Sequence, residues 1–272
     1  LAGTGVGKSL FMCHVASSVI SEGKNVLYIT LEMAEERIAE RIDANLLDVT
    51  IDDLYEMPKE IYDNKTSKMQ NKTNGQLIIK EYPTASAHAG HFKSLLDELA
   101  LKKAFKPDLI FIDYLNICTS SRFKGGNINS YTMVKSIAEE LRGLAVQYNV
   151  PIVSATQTTR TGYLSSDVGL EDTSESFGLP ATADFMFALI SNDELEELGQ
   201  IKVKQLKNRY NDPAVNRAFI IGVDRSKMRL YDVEQSAQQI VDSNQESKEK
   251  IEQPSGPQES ANVYDKFSDF KI

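Results

Sequence analysis

The sequence predicts an α/β fold with a mostly parallel, twisted sheet, helices on both faces and antiparallel strands at the C-terminal end. Through the first 155 residues, apolar β-branched runs alternate with charged, helix-like stretches, as they do when helices connect parallel strands. After residue 185, further strand-like runs follow one another with short connections, which is typical of antiparallel pairing. A chain of 272 residues with 41% hydrophobic side chains is long enough to bury one large core.

The chain opens with a glycine-rich loop, residues 2–9, which we call the P-loop. It departs at one position from the phosphate-binding pattern G-x-x-x-x-G-K-[ST], because Ala2 stands where the first glycine is expected. Glycines let successive N–H groups turn inward around a phosphate, the lysine can reach the β- and γ-phosphates, and the serine hydroxyl can ligate Mg²⁺. The competing interpretation is a glycine-rich turn with a chance lysine. The pattern predicts that ATP and Mg²⁺ are bound by Gly3, Thr4, Gly5, Val6, Gly7, Lys8 and Ser9.

The other elements follow in chain order. A helix over residues 10–19 is predicted to point its N-terminus at the phosphates. The apolar runs predict parallel strands at residues 26–31, 76–82, 108–113 and 151–155. Helices are predicted at residues 34–47, 91–105 and 131–148, with a short helix capped by Thr50 and a polar surface excursion up to residue 75. A mobile loop is expected at residues 120–129, a second polar loop at 158–173, and the final strands at 185–190, 201–207, 218–223 and 230–233.

Three polar side chains follow predicted parallel strands. Asp113 ends a buried strand, where a Mg²⁺-coordinating carboxylate belongs, although a lone aspartate there can also be a cap. Glu32 could orient water for attack on the γ-phosphate, with a helix cap as its alternative. The amide of Gln157 could distinguish ATP from ADP, or simply stand in a turn. Because the carboxyl ends of parallel strands meet at one edge of a sheet, the three side chains are predicted to share a crevice with the P-loop.

Positive charge is concentrated in two places, although the net charge of the chain is −9. Lys207 and Arg209 close a basic stretch that begins at residue 202, and we expect them to reach a phosphate outside their own subunit. The alternative is a solvated basic edge strand. An acidic protein that binds DNA must gather its cations in a few loops, which here would be Arg122, Lys124 and Arg160.

The composition limits the cellular compartment and the kinds of site that this chain can have. No apolar run approaches the roughly 20 residues that a membrane-spanning helix needs. The two cysteines and three histidines have no metal-like spacing, which predicts a reduced, cytoplasmic setting without structural zinc. From residue 236 the chain is rich in Gln, Ser, Glu, Lys and Pro, so residues 236–272 are predicted to be a disordered tail. The aromatic residues near its end make a candidate docking peptide or merely a sticky end.

In this order, the motifs resemble the RecA-like ATPase domain of hexameric DnaB-type replicative helicases, especially those of T-even phages. The resemblance covers residues 1–235. It rests on the P-loop, on Leu31-Glu32-Met33-Ala34-Glu35, Ile112-Asp113-Tyr114-Leu115, Ala155-Thr156-Gln157, residues 175–184 and Lys207-Asn208-Arg209-Tyr210.

The resemblance implies a role for each candidate residue. Glu32 would be the catalytic base, Asp113 would hold Mg²⁺, and Gln157 would couple the nucleotide state to DNA. Lys207 and Arg209 would act on the ATP of the neighbouring subunit. The loops after Asp113 and Gln157 would line a central channel and track single-stranded DNA.

For the whole protein, the resemblance implies a homo-hexameric, ATP-driven 5′–3′ helicase of phage DNA replication, acting in the host cytoplasm with a primase, a helicase loader and other replisome proteins. Two departures from the family are visible. Ala2 replaces the first P-loop glycine, which we expect to be tolerated. The family's N-terminal strand and collar domain are also missing from this sequence, so we expect it to be a piece of a longer protein.

Two other functions remain open at this point. A RecA-type recombinase would share the fold, but the long, glycine-rich DNA loop that would favour it is not seen. A nucleotide-switched regulatory ATPase that never touches DNA would share the crevice, and stimulation of hydrolysis by DNA would exclude it.

Overall fold

The structure is a computed structural model that describes residues 1–123, 128–159, 168–173, 178–212 and 215–234. The predicted DNA contacts Lys124 and Arg160 lie outside the described residues. The predicted tail and docking peptide of residues 236–272 lie outside them as well.

The first sheet has four strands, all parallel, in the order β2-β1-β3-β4. They are β1 (Val26–Thr30), β2 (Leu77–Glu81), β3 (Leu109–Asp113) and β4 (Ile152–Ser154). Every residue of β1 is buried, because this strand is covered on both faces. The register sets Thr30 opposite Asp113, so β1 and β3 end at the same edge, as the sequence predicts.

Helices connect these strands and cover the sheet. Their bounds are α1 (Lys8–Ser21), α2 (Glu35–Leu47), α3 (Ile51–Glu56), α4 (Lys59–Gln70), α5 (Ala89–Lys103), α6 (Ser130–Tyr148), α7 (Gly178–Thr182) and α8 (Asp193–Glu197). Two short 3₁₀ helices span Leu115–Ile117 and Leu170–Asp172. Among the described residues, no helix is both long enough and apolar enough to cross a membrane.

Alternating side chains of β1 divide the core into two layers. Leu27 and Ile29 pack with α5 and α6, whereas Val26 and Tyr28 pack with α1 and α2. Helices therefore lie on both faces of the parallel sheet, which confirms the predicted fold class.

The second sheet is antiparallel, in the order β5-β6-β7-β8. Its strands are β5 (Phe185–Ile190), β6 (Gln200–Asn208), β7 (Ala218–Asp224) and β8 (Arg229–Asp232). The basic stretch lies on β6, between β5 and β7. Lys202 and Lys204 pair with both neighbouring strands, so the alternative interpretation as an edge strand is wrong for them, whereas Lys207 is paired with Met186 of β5 and Arg209 follows the end of β6.

The first two residues of the chain connect the two sheets. Ala2 forms parallel bridges to Gln157, just beyond β4, and to Leu189 of β5. Its N–H donates to Thr156 O at 3.2 Å, and Leu189 N–H donates to Leu1 O at 2.8 Å. Ala2 is fully buried in an apolar cluster with Leu10 and Ile201. An alanine in place of the first P-loop glycine thus occupies a strand position, where a methyl group packs well.

The sequence analysis missed three helices and predicted one short one. Thr50 caps α3 as predicted, its hydroxyl accepting from the N–H of Asp53 at 3.0 Å. The polar excursion after it contains α4, which buries none of its side chains and so lacks the apolar stripe that marks a helix in sequence. Helices α7 and α8 have five residues each, too few to show a period.

Candidate functional site

The P-loop has the backbone geometry of an anion nest. Gly5 and Gly7 have positive φ angles of 80° and 127°, which side-chain-bearing residues rarely adopt. Helix α1 begins directly after Gly7 and has no side-chain cap and no acidic residue in its first turn. Its first N–H groups are therefore left for a ligand, and the helix dipole favours an anion there.

Lys8 lies over the P-loop with its amine turned back onto the loop. Its Nζ donates to the carbonyl oxygens of Gly3 at 2.9 Å and Ala2 at 3.4 Å. Burial lowers the pKa of Lys8, while the charges of Glu32 and Asp113 oppose that change. The two carboxylates thus lie close enough to Lys8 to act on it electrostatically.

Asp113 is the last residue of β3 and is fully buried. Its Oδ2 accepts a hydrogen bond from the Tyr28 hydroxyl at 3.0 Å, whereas its Oδ1 has no hydrogen-bond partner in the part of the chain that the structure describes. Burial raises the pKa of Asp113, and the nearby Ser9 hydroxyl opposes the rise together with Tyr28 and the charges of Arg41 and Lys8. A buried carboxylate beside a serine hydroxyl, with one oxygen unused, is the donor set that Mg²⁺ prefers.

Unsatisfied polar atoms are concentrated at this edge of the sheet. Among the described residues, the buried side-chain oxygens without a hydrogen bond are Oδ1 of Asp113 and Asn116 and Oγ1 of Thr156 and Thr158. All of them lie at or within four residues of the ends of β3 and β4. Because buried polar atoms are rarely left unpaired, the edge fits a polar ligand with a cation, as a nucleotide with Mg²⁺ would be.

Glu32 lies two residues beyond β1 and is exposed. Helix α2 begins at Glu35, its N-cap is Ala34, and no side chain caps it. The alternative interpretation of Glu32 as the helix cap is therefore wrong. Within the described part of the chain its carboxylate accepts no hydrogen bond, so it is free to orient a water molecule.

Gln157 lies between Ala2, whose bridges to Gln157 and Leu189 we call the P-loop strand, and the end of β3. Its backbone forms the bridge to Ala2, and its amide nitrogen donates to the Tyr114 hydroxyl at 3.3 Å. The next residue, Thr158, donates its N–H to Ala2 O at 3.3 Å. The structure thus brings Gln157 together with the P-loop, Glu32 and Asp113, and we call this set the crevice.

Lys207 and Arg209 are held away from the crevice. Lys207 Nζ donates to Pro180 O at 2.5 Å, and Arg209 donates to Ala181 O at 3.1 Å and to Asp184 Oδ1 at 2.7 Å. The same Asp184 oxygen accepts from Arg142 of α6 at 2.6 Å. We call these four charged residues the Arg209 cluster: Arg142, Asp184, Lys207 and Arg209.

The cluster is electrostatically crowded. Burial lowers the pKa of Lys207, and the charge of Arg209 lowers it further. The hydrogen bonds of Lys207 and Arg209 run to residues 180–184 and not to the P-loop of their own chain. The structure therefore does not bring these two predicted site residues to the crevice.

Of the predicted DNA contacts, the described one is Arg122. Its guanidinium pairs with Glu139 at 2.5 Å and lies 3.9 Å from Glu140, both on α6. Glu140 also accepts hydrogen bonds from Ser120 and Ser121. Burial would raise the pKa of Glu140, but these hydrogen bonds outweigh it and lower the pKa. The start of the predicted mobile loop is thus fastened to α6.

Sequence reasoning missed three residues that support the site: Tyr28, Arg142 and Asp184. Tyr28 interrupts a strand that is otherwise aliphatic or Thr, which was a usable signal for a polar contact in the core. Asp184 lies inside a motif that carries the resemblance, yet nothing in its spacing reveals that it joins two arginines.

A family model described as the DnaB-like helicase C terminal domain matches residues 1–226. The chain belongs to this family. Among curated proteins, it is 47% identical over 240 residues to the DnaB-like replicative helicase of Enterobacteria phage T4, a match that covers 87% of this chain and 50% of that protein. The chain thus spans about half the length of this relative.

Two solved structures have the same fold. A DnaB-like replicative helicase, described with its interactions with primase, matches with a TM-score of 0.69 at 18% identity, covering 86% of this chain and 56% of that one. A second solved structure, described as an ATPase domain, matches with a TM-score of 0.70 at 17% identity, covering 86% of this chain and 83% of that one. These likenesses confirm the predicted RecA-like fold, and the family match confirms the resemblance inferred from the motifs.

Proposed function

We propose that this chain is the ATPase motor domain of a hexameric 5′–3′ replicative DNA helicase that acts in phage replication. The observation that carries the proposal is the assembly of Lys8, Glu32, Asp113 and Gln157 at one sheet edge beside an anion nest. Membership of the DnaB-like family favours this function over a recombinase or a regulatory ATPase. The phage relative supports action in the cytoplasm of a host cell.

The crevice residues divide the chemistry of ATP hydrolysis among them. The nest of residues 3–9 and the first turn of α1 would bind the phosphates, and Lys8 would neutralise their charge. Ser9 and Asp113 would hold Mg²⁺, which supplies positive charge to the β- and γ-phosphate oxygens. Glu32 would orient the attacking water and accept its proton. Gln157, between the P-loop strand and Tyr114, would report whether the γ-phosphate is present.

The second half of each ATP site would come from a neighbouring subunit. Lys207 and Arg209 form hydrogen bonds with residues 180–184 and not with the P-loop of their own chain, so a role at an ATP site would require the nucleotide of another subunit. An arginine can hold a γ-phosphate with two hydrogen bonds and stabilise the charge of the transition state. A ring of six subunits would then contain an ATP site at each interface.

The DNA strand would be carried by the loops that follow Asp113 and Gln157, through Arg122, Lys124 and Arg160. Residues 1–235 would form the motor domain, and the prediction of a tail at residues 236–272, with a docking peptide or a merely sticky end, concerns residues outside the described part of the chain. A structurally similar DnaB-like helicase is described with its interactions with primase, which supports a primase as one partner. A helicase loader and other replisome proteins complete the proposed set.

The proposal is tested by Glu32→Gln, with hydrolysis measured with and without single-stranded DNA. Because the water loses its base, we expect hydrolysis to fall by about 10²–10⁴-fold while nucleotide binding stays within twofold. The matched control is Glu36→Gln, a nearby exposed acid on α2. Lys8→Ala should instead weaken nucleotide binding itself.

Two outcomes would count against the proposal. Near wild-type hydrolysis by the glutamine variant would remove Glu32 from the chemistry. Hydrolysis by the wild-type protein that does not respond to DNA would favour the regulatory ATPase.

A further inference from the structure

The core contains one more group aimed at the crevice, the hydroxyl of Tyr28. Tyr28 lies in the middle of β1 and is fully buried. It is in register with Phe111 of β3, and the two rings stack with their centroids 5.5 Å apart and an interplanar angle of 23°. Asp113 lies two residues after Phe111, so its side chain points to the same face of the sheet.

This register lets the phenol reach along the sheet to the carboxylate. The Tyr28 hydroxyl donates to Oδ2 of Asp113 at 3.0 Å, and Oδ1 of the same carboxylate has no hydrogen-bond partner among the described residues. The two oxygens of one buried group are therefore treated differently. One is fixed by a neutral donor from the core, and the other is left for the crevice.

The contact is part of a connection between three elements. Cys13, one helical turn beyond Ser9 on α1, lies within hydrogen-bonding reach of the Tyr28 hydroxyl. The Ser9 hydroxyl at the start of α1 also lies near Asp113, on the side of the crevice where Mg²⁺ would bind, whereas Arg41 and Lys8 act on Asp113 as charges, which fix no orientation of the carboxylate plane.

We propose that Tyr28 is a positioning residue for the divalent cation: it holds Oδ2 of Asp113 so that Oδ1 is presented to the metal. The inference rests on the proposed role of Asp113 as a Mg²⁺ ligand and deepens it. Ligating carboxylates are commonly oriented by such outer partners, whose loss costs about 10–100-fold in metal affinity or activity.

The test is Tyr28→Phe, which keeps the buried ring and its stacking on Phe111 but removes the donor. The affinity of a fluorescent ADP for the chain is measured with saturating Mg²⁺ and again with a chelator. The ratio of the two affinities reports the coupling between metal and nucleotide. We expect metal-free affinity within twofold of wild type and a Mg²⁺-dependent gain that is about tenfold smaller.

A purely structural role of Tyr28 would change the two ADP affinities in a different way. It would lower both affinities equally, or leave both unchanged, and either result would overturn the inference. The control is Phe111→Leu, which removes the stacking partner and leaves the hydroxyl in place. It should lower the melting temperature while the Mg²⁺-dependent gain stays at its wild-type value.

The experiment also distinguishes a failure of the proposed role of Asp113 from a failure of the inference about Tyr28. If the wild-type chain binds ADP without any Mg²⁺-dependent gain, the assignment of Asp113 falls and this inference falls with it. If Tyr28→Phe does not fold, the double variant Tyr28→Phe, Asp113→Asn is compared with Asp113→Asn alone, because both partners are then removed together. An additional loss of the Mg²⁺ effect in the double variant would overturn the inference, and equal behaviour would support it.

Discussion

The crevice and the Arg209 cluster are both built from charged side chains, yet they differ in how completely the chain satisfies them. In the crevice, Asp113 keeps an unpaired oxygen and the Glu32 carboxylate accepts no hydrogen bond from the described residues. In the cluster, Arg209 is bonded to a carboxylate and a carbonyl, and Asp184 accepts from two arginines. One region leaves polar groups over for a ligand, and the other uses its own chain to hold its cations.

The two regions therefore depend on different partners for catalysis. The crevice needs only a ligand from solution, because Asp113 keeps one oxygen without a hydrogen bond from the described residues and Lys8 is bonded only to the carbonyls of its own P-loop. The cluster must exchange intramolecular hydrogen bonds for contacts with another subunit's nucleotide. Its contribution should therefore depend on assembly, whereas the binding of nucleotide to the crevice should not.

The largest effect on ATP hydrolysis is expected for Arg209→Ala. If the arginine stabilises the transition state of a neighbour, hydrolysis should fall by about 10³-fold or more, with nucleotide binding nearly unchanged. Mixing this variant with Lys8→Ala creates some interfaces with one intact P-loop and one intact arginine. We expect activity to recover partly in the mixture, measured as ATP hydrolysis against each variant alone.

The mixing experiment needs proof that mixed assemblies form. Two different affinity tags, one on each variant, provide it through sequential pull-down. Mixed assemblies without any recovery would place the action of Arg209 within its own subunit, or outside catalysis altogether.

A smaller effect on hydrolysis is expected for Asp184→Asn, which weakens the ion pairs of the Arg209 cluster. The amide keeps the shape of the side chain but removes the charge that Arg142 and Arg209 share. We expect about a tenfold loss of hydrolysis, because Arg209 loses its fixed direction while staying present. Glu194→Gln, an exposed acid on α8, serves as the control. A rise in hydrolysis would mean instead that Asp184 restrains the arginine.

The smallest effect is expected for DNA. Replacing Arg122, Lys124 and Arg160 by alanine should flatten the salt dependence of single-strand binding by about 0.7 of a log unit per lost phosphate contact. Arg122 pairs with Glu139, so a phosphate contact by Arg122 would have to replace this ion pair. The slope is measured by DNA-binding titrations at several salt concentrations. Lys102→Ala, which removes an exposed ion pair with Glu98, should leave the slope unchanged.

The sequence was informative wherever a residue follows an apolar strand. Asp113 and Gln157 could be placed at one sheet edge because the ends of the buried runs are visible in the sequence and parallel strands end together. Contacts set by register across the fold could not be foreseen. The bond between Tyr28 and Asp113 spans 85 positions, and that between Arg142 and Asp184 spans 42.

The structure of the polar surface could not be predicted from the sequence for a different reason. Helix α4 has no fully buried side chain, so no strong apolar period distinguishes it from a loop in the sequence. The pairing of Arg122 with Glu139 likewise has no sequence signature, because either residue alone is typical of a solvated charge. The motifs therefore predict the crevice better than the Arg209 cluster. The crevice residues follow strands that are visible in the sequence, whereas the contacts of the cluster depend on long-range packing.

The short strand at Ala2 has a consequence for the order of folding. Ala2 of the P-loop pairs with Gln157 and Leu189, which lie 155 and 187 positions further along the chain. Closing so long a loop is slow, because chain entropy is lost before the contacts form. During synthesis, the β1–β4 sheet can form first, but the P-loop strand finds both its neighbours only after β5 has emerged. Nucleotide binding would then mark the last step of maturation.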